Sequence, residues 1–383
     1  MPLAARNRPP VIARRMRTSS GGTVFLFLLA VATPAVAQVT YAITDLGLFS
    51  DAPAPGNLSN ATAINASGQA AGYAVVSGSS HAVLFENGAM TDLGTFGGPR
   101  SFARGINDAG TVVGYASVSN LVDHAFVYAN GTKTDLGTLP GGGTSSYASA
   151  INNSGQIVGN AYLADNFTRR AFLYQNGTMT AIAPFSGTGG NRANAINDLG
   201  HVAGTTSVNG SVYERAFLYN GTNTVVLGFA GGTFSFGYGI NNSSHVVGQA
   251  YTAGSAEQYG FLFNGEAVIN LGALAGSTQS IAYDINNSGQ IVGASTTVGN
   301  ATFHAVLFSG GGVIDLNTLI SPASGWVLTE ALAINDAGQI VGYGTFEGRQ
   351  HGFILTAIPE PSTYAVLAGL GALAGVLCFR RRA

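Results

Sequence analysis

The chain has 383 residues, of which 9% are charged and 46% hydrophobic, with a formal net charge of −2, 55 glycines and one cysteine. No basic stripe is present to bind nucleic acid, and the apolar fraction is enough to fill a core in spite of the glycine, which argues against plain disorder. The one cysteine, Cys378, lies in the C-terminal apolar tail, so the part ahead of it has no disulfides and no thiolate chemistry.

Residues 1–37 read as a secretory leader. Arg14, Arg15 and Arg17 precede the apolar run VFLFLLAVA, and Ala-Val-Ala at 35–37 offers small residues for cleavage after Ala37. The stretch ahead of Met16 is long for a leader, and translation from Met16 would give one of 22 residues. About ten apolar residues are too few to span a bilayer, so a permanent anchor is the weaker reading.

Residues 38–357 repeat one phrase. INDAGQIVGYG at 334–344 returns as INDAGTVVGYA at 106–116 and INNSGQIVGNA at 151–161, and in looser form elsewhere. The Ile-Asn pairs begin at Ile64, Ile106, Ile151, Ile196, Ile240, Ile285 and Ile334, in steps of 42 to 49 residues. A fixed period of this kind decides the fold before any single element does. In the unit 145–184, SYASAI and QIVGNAY are β-prone runs joined by the turn signal NNSG. RAFLY follows a looser loop, and QNG turns the chain into TMTAIA, since Asn-Gly tolerates positive φ. Each unit therefore predicts four antiparallel strands.

The positions one and three before each Ile-Asn are almost always Ala or Gly, as at Ala148 and Ala150 or Gly237 and Gly239, with Asp284 the exception. Third strands carry rings two apart, such as Phe126 with Tyr128 and Phe172 with Tyr174. Alternation along a strand puts the small pair on one flat face, which predicts room there for rings from an adjoining sheet. Four strands in about 45 residues is the size of a propeller blade. A fourth-strand motif, YAITDLG at 41–47, precedes every complete unit, and the last third strand, His351 to Leu355, has no fourth strand after it. The expected fold is all-β: a seven-bladed β-propeller of four-stranded antiparallel blades, closed by the N-terminal strand.

The string His124-Ala125-Phe126 and its relatives resemble the extracellular HAF-repeat family from Tyr41 to Leu355, although Arg170, Arg215 and Tyr259 replace the histidine in three units. The resemblance implies an extracellular place and this architecture, and brings no enzymatic activity with it. In residues 358–383, Pro359, Glu360 and Pro361 precede an apolar run at 364–379 and then Arg380, Arg381 and Arg382. The run is slightly short for a stable transmembrane span, and the arginines would stay on the cytoplasmic side. The tail resembles the PEP-CTERM sorting signal of Gram-negative bacteria. That resemblance implies an exosortase as processing partner, cutting near Pro-Glu-Pro, and transient attachment to the inner membrane before delivery to the cell surface or extracellular matrix. An ordinary tail anchor is the alternative.

Chemistry-bearing residues recur with the repeat. His81, His124, His304 and His351 open third strands, while His201 and His245 stand where Gln156, Gln290 or Gln339 stand in other units. Recurrence at one repeat position points to hydrogen bonding within each blade more than to ligand contact at one site, and no His/Cys spacing matches zinc. Asp45, Asp92, Asp135 and Asp315 in DLG or DLN read as strand-end hydrogen bonds; an acid/base pair would need two carboxylates to converge. Asp108, Asp198 and Asp336 give at most one carboxylate per turn, too few oxygens for calcium, so turn chemistry explains them better. GxSxG is absent, and LPGGGTSS lacks the Lys-Ser/Thr ending of a phosphate loop. No catalytic, cofactor-binding or metal site is expected.

Strand order places both tight turns of every blade on one side of the disc and the variable loops on the other. Arg100, Phe102, Phe234, Phe236 and Trp326 in or beside those loops are candidate contacts for glycans, unless the rings pack under their own loops. The expected function is a surface or matrix protein presenting a propeller for adhesion or exopolysaccharide contact. A carbohydrate-active enzyme is the second reading, because the fold alone does not decide. Carboxylates clustered on one face would favour the enzyme, and rings with amides would favour binding.

Overall fold

The computed structural model describes residues 39–49, 56–182, 190–207, 213–229, 231–255 and 257–358. The leader, the sorting residues from Pro359 onward and the apolar run at 364–379 lie outside them. The chain divides into Met1–Ala37 and Gln38–Ala383, and every described strand belongs to the second unit.

Among the described residues, twenty-eight strands form seven four-stranded antiparallel sheets. Blades 1 to 6 span 59–92, 101–135, 146–181, 191–227, 235–272 and 280–315. Blade 7 takes three strands from 326–358 and its fourth from Thr40–Asp45, which pairs with Arg349–Ile358 so that Tyr41 faces Ala357 and Asp45 faces Phe353. The seven-bladed ring is thus closed by the N-terminal strand, and the edge of the last sheet is covered. Among the described residues no helix is long and apolar enough to cross a membrane.

The first strands depart from the simple alternation expected. Each carries a β-bulge just before Ile-Asn, where the register slips between Ala61 and Ala63, Ala103 and Gly105, Ala148 and Ala150, and likewise in blades 4 to 7. A bulge re-aims side chains by inserting an unpaired residue. The third residue before Ile-Asn (Ala61, Ala103, Ala193) is fully buried between blades, whereas the residue immediately before it (Ala63, Gly105, Ala195) lines the central channel.

The bulge also explains the glycine eight residues after each Ile of the repeated phrase. A Cβ on Gly72, Gly114, Gly159, Gly204, Gly248, Gly293 or Gly342 would lie within 2.1 Å of a first-strand carbonyl oxygen. Third-strand rings cover the same glycines: a Cβ at Gly159, Gly204 or Gly342 would be within 3.0 Å of the Phe172, Phe217 or Phe353 ring. These rings are fully buried and also meet the preceding blade, as Phe126 meets Ala71, Ala82 and Leu84. The adjoining-sheet contact is present, but the space for the ring comes from the glycine of its own second strand.

Blades are latched together by first-strand serines. The Ser101 hydroxyl accepts from the Ala82 N–H at 2.8 Å and donates to the Gly94 carbonyl at 2.6 Å, both in the preceding blade. Ser59 repeats the latch across the ring closure, with Gly352 N–H at 2.9 Å and the Gly47 carbonyl at 2.6 Å.

Gly204→Ala should destabilise the protein by about 3 kcal/mol, because the bulge carbonyl and the Phe217 ring must both move. Gly177→Ala, in an open turn at φ +77°, should cost only about 1 kcal/mol. Urea denaturation of both variants checks the order; equal losses would show that the bulge imposes no special requirement at Gly204.

Candidate functional site: the channel and its two mouths

The asparagine of each Ile-Asn pair is buried, and together the seven form a hoop around the axis. Each Nδ2 donates to the main-chain carbonyl of the next asparagine, in the order Asn65, Asn107, Asn152, Asn197, Asn241, Asn286, Asn335 and back to Asn65, at 2.9 to 3.2 Å. Each Oδ1 accepts the main-chain N–H four residues on, from Gln69 at 3.0 Å round to Gln339 at 2.9 Å, which closes its own hairpin turn. One amide therefore fixes a turn and joins two blades.

The residues that follow make a second belt at the tight-turn mouth. Ala66, Asp108, Asn153, Asp198, Asn242 and Asn287 each donate a main-chain N–H to the side-chain Oδ1 of the next member, ending at Asp336, at 2.8 to 3.0 Å. Asp108, Asp198 and Asp336 thus bond to the preceding blade's turn, not to their own, which corrects the turn role expected for them. Ala66 has no side-chain oxygen to offer, so the belt is open between blades 7 and 1. Among the described residues no three His, Cys, Asp or Glu side chains converge on a metal position.

Midway along the channel, Asp284 replaces the Ala or Gly of the other blades. Its carboxylate accepts from Ile285 N–H at 2.9 Å and Ile334 N–H at 3.0 Å. Burial outweighs these bonds and pushes its pKa up to about 6. Glu330 is also raised, first by burial, although the Tyr343 and Tyr283 hydroxyls beside it favour its charged form.

The mouth on the loop side is walled by rings. Tyr73, Phe102, Tyr115, Tyr147 and Tyr162 form an unbroken series across blades 1 to 3, with successive centroids 5.0, 5.1, 5.0 and 6.2 Å apart. The Arg104 guanidinium lies 5.7 Å from the Tyr115 ring centre, and that of Arg169 lies 5.2 Å from Tyr162. Arg104, Tyr115, Tyr147, Asn160, Arg169 and Tyr238 surround a cavity of about 440 Å³, completed by Ala148, Ser149 and Asn194. Burial pushes the Tyr238 hydroxyl up to about 12.

The residues singled out from the sequence fall in different places. Phe102 belongs to the ring series, and Phe236 stacks on Tyr238 with centroids 6.4 Å apart. Arg100 pairs with buried Asp123 at 2.9 Å, and Phe234 packs edge-on to Tyr213 and Tyr251. Trp326 is 9% exposed and packed among Phe346, His351 and Phe353, so its ring belongs to the core and leaves the candidate set. The third-strand histidines serve their blades: His81, His124, His304 and His351 meet Asp92, Asp135, Asp315 and Asp45 at 2.7 to 2.9 Å. His201 reaches the Ser244 hydroxyl of the next blade at 2.8 Å. Sequence reasoning passed over Tyr73, Tyr115 and Asn160. They directly follow the second-strand glycine, and a position that varies between constant neighbours was the available signal.

The PEP-CTERM protein-sorting motif matches residues 357–382. A motif of this kind marks a protein for export and exosortase processing, with the C-terminal tail held in the membrane beforehand. No curated protein is similar to the chain by sequence. Among solved structures, oligogalacturonate lyase in complex with manganese is 12% identical over 85% of this chain and 97% of that one, with a TM-score of 0.53. A gluconolactonase from Xanthomonas campestris is 11% identical over 67% of this chain and 86% of that one, with a TM-score of 0.39. At these identities the first likeness concerns the propeller fold alone, and the second carries no argument.

The raised Asp284 makes a pH prediction. Between about pH 4 and pH 6 the folded protein keeps a proton that the unfolded chain has released, so this group's contribution to stability falls as pH rises through that window. Asp284→Ala restores the residue type of the other blades and should remove about 2 kcal/mol of that fall. Urea denaturation of both proteins at pH 4 and pH 6.5 measures it. Parallel changes in the two would mean that Asp284 titrates normally.

Proposed function

We propose that the chain is an exported, non-enzymatic surface or matrix protein of a Gram-negative bacterium, with HAF-type repeats. Its leader is removed after Ala37 and its tail is cut near Pro359-Glu360-Pro361. The propeller is presented for contact with exopolysaccharide, which it holds at the loop-side mouth of its channel. The observation that carries this reading is the ring series from Tyr73 to Tyr162 with amides and arginines between the rings. Rings offer broad apolar faces to pyranose C–H groups, and amides and guanidinium groups bond to hydroxyls. No carboxylate is among the described residues that line that cavity, so it has no acid/base pair of its own.

The second reading, a carbohydrate-active enzyme, draws on Glu330 and Asp284, because carboxyls raised by burial are frequent at catalytic centres. A glycan array probed with the purified protein, beside a cleavage assay on the same sugars, separates the two. Binding without turnover is expected, weakened about tenfold by Phe102→Ala or Tyr115→Ala at unchanged melting temperature. Turnover abolished by Glu330→Gln would instead establish the enzyme.

A further inference from the structure

The cavity at the loop-side mouth has an electrostatic character that a neutral polysaccharide does not require. Only 16 of the 383 residues are Lys or Arg, yet two arginines meet here. Among the described residues, arginine ion pairs are made by Arg100 with Asp123 and by Arg192 with Glu214. Arg104 and Arg169 make none. Their contacts are with ring faces and with hydroxyls: Arg104 Nη2 is 3.4 Å from the Tyr115 oxygen, and Arg169 Nη2 is 3.0 Å from that of Tyr162. A guanidinium has five N–H donors, and one hydroxyl contact leaves most of them for an incoming acceptor.

A second observation points the same way. Asn160 is 7% exposed and lines the cavity, and its Nδ2 has no hydrogen-bond partner. A buried amide donor left unpaired costs about 1–3 kcal/mol, which a ligand oxygen would recover. The tightest polar needs of the cavity are therefore for acceptors, and the charged side chains among its lining residues, Arg104 and Arg169, are both positive. Tyr115 and Tyr147 add ring faces on the same wall, and the volume of about 440 Å³ is in the range of small-ligand sites.

We propose that this cavity binds a carboxylate-bearing sugar, a uronate residue of an acidic polysaccharide, with Arg104 and Arg169 on the carboxylate, Asn160 Nδ2 on a ring or hydroxyl oxygen, and the tyrosines against the pyranose. The inference rests on the polysaccharide-binding reading and narrows it to an anionic class.

Titration calorimetry on the full-length protein, with a short oligoglucuronate, a neutral oligoglucan of the same length and inorganic phosphate, tests it. The oligoglucuronate should bind at least about tenfold more tightly than the neutral sugar, the margin expected of charge-assisted hydrogen bonds, and should weaken as salt is added. Arg104→Gln and Arg169→Gln should each erase most of that margin at unchanged melting temperature, while Arg104→Lys should keep part of it. Asn160→Ala should weaken binding without changing the salt dependence. Equal affinity for the neutral sugar would overturn the anionic assignment and leave polysaccharide binding standing. Phosphate binding as tightly as the oligoglucuronate and displacing it fully would reduce the cavity to a plain anion site. Binding of neither sugar would sink both readings.

Discussion

Seven side-chain amides hold the axis of this protein. Each asparagine of the hoop spends Oδ1 on its own turn and Nδ2 on the next blade's carbonyl. In the crowded centre of the disc no water is needed to satisfy these main-chain groups, which would otherwise be buried unpaired. At about 1 kcal/mol net for each bond the hoop is a modest stabiliser, but the cost of breaking one link is larger than its net worth. The geometry admits no free end. Asn335 must reach Asn65 across 270 positions of sequence, so the last hairpin bonds fully only in a closed ring.

The phrase INDAGQIVGYG can be decoded from this constraint. Isoleucine lines the channel, asparagine builds the hoop, and the next residue reaches back to the preceding blade in the second belt. The first glycine takes the left-handed turn, the glutamine brackets the asparagine amide, and the second glycine makes way for the bulge carbonyl. In one place two parts differ together. Ser244 stands at φ 61° in place of the turn glycine, and the residue facing it from the previous blade is His201 in place of glutamine. The residue after the second glycine has no such duty. In the first three blades it faces the loop-side mouth, and there the repeats differ: Tyr73, Tyr115, Asn160.

This division explains what could be read from sequence. Blade number, strand order and ring closure were legible because they depend on period and on the unpaired motif at Tyr41, which no side-chain geometry can alter. The Asp and His roles were half legible: recurrence indicated service to the blade, but the partner of Asp108 or Asp198 is a turn some 42 or 45 residues earlier, a contact no local rule gives. The bulge was hidden, since the small residues flanking it look like plain alternation. The candidate site was mostly hidden too. Phe102 was within reach, whereas Trp326 suggested a surface platform and is instead enclosed by Phe346 and Phe353. Arg104 is the unpaired residue of the blade 2 bulge, so its facing could not be read from alternation, and Arg169 opens a third strand some 65 residues further on.

A ring built this way separates stability from the mouth at which binding is proposed. Constant positions keep the axis and the latches, so varying positions at one mouth can change without endangering closure. The most direct test of that account is the stability of Asn335→Asp in urea at pH 7 and pH 4.5, measured against the native protein. An aspartate there would face the Asn65 carbonyl and Gln339 Oε1, both acceptors, and could donate only when protonated. The account predicts a loss of about 3 kcal/mol at pH 7 that shrinks markedly at pH 4.5. A variant as stable as the native protein at pH 7, or one whose loss is the same at both pH values, would contradict it.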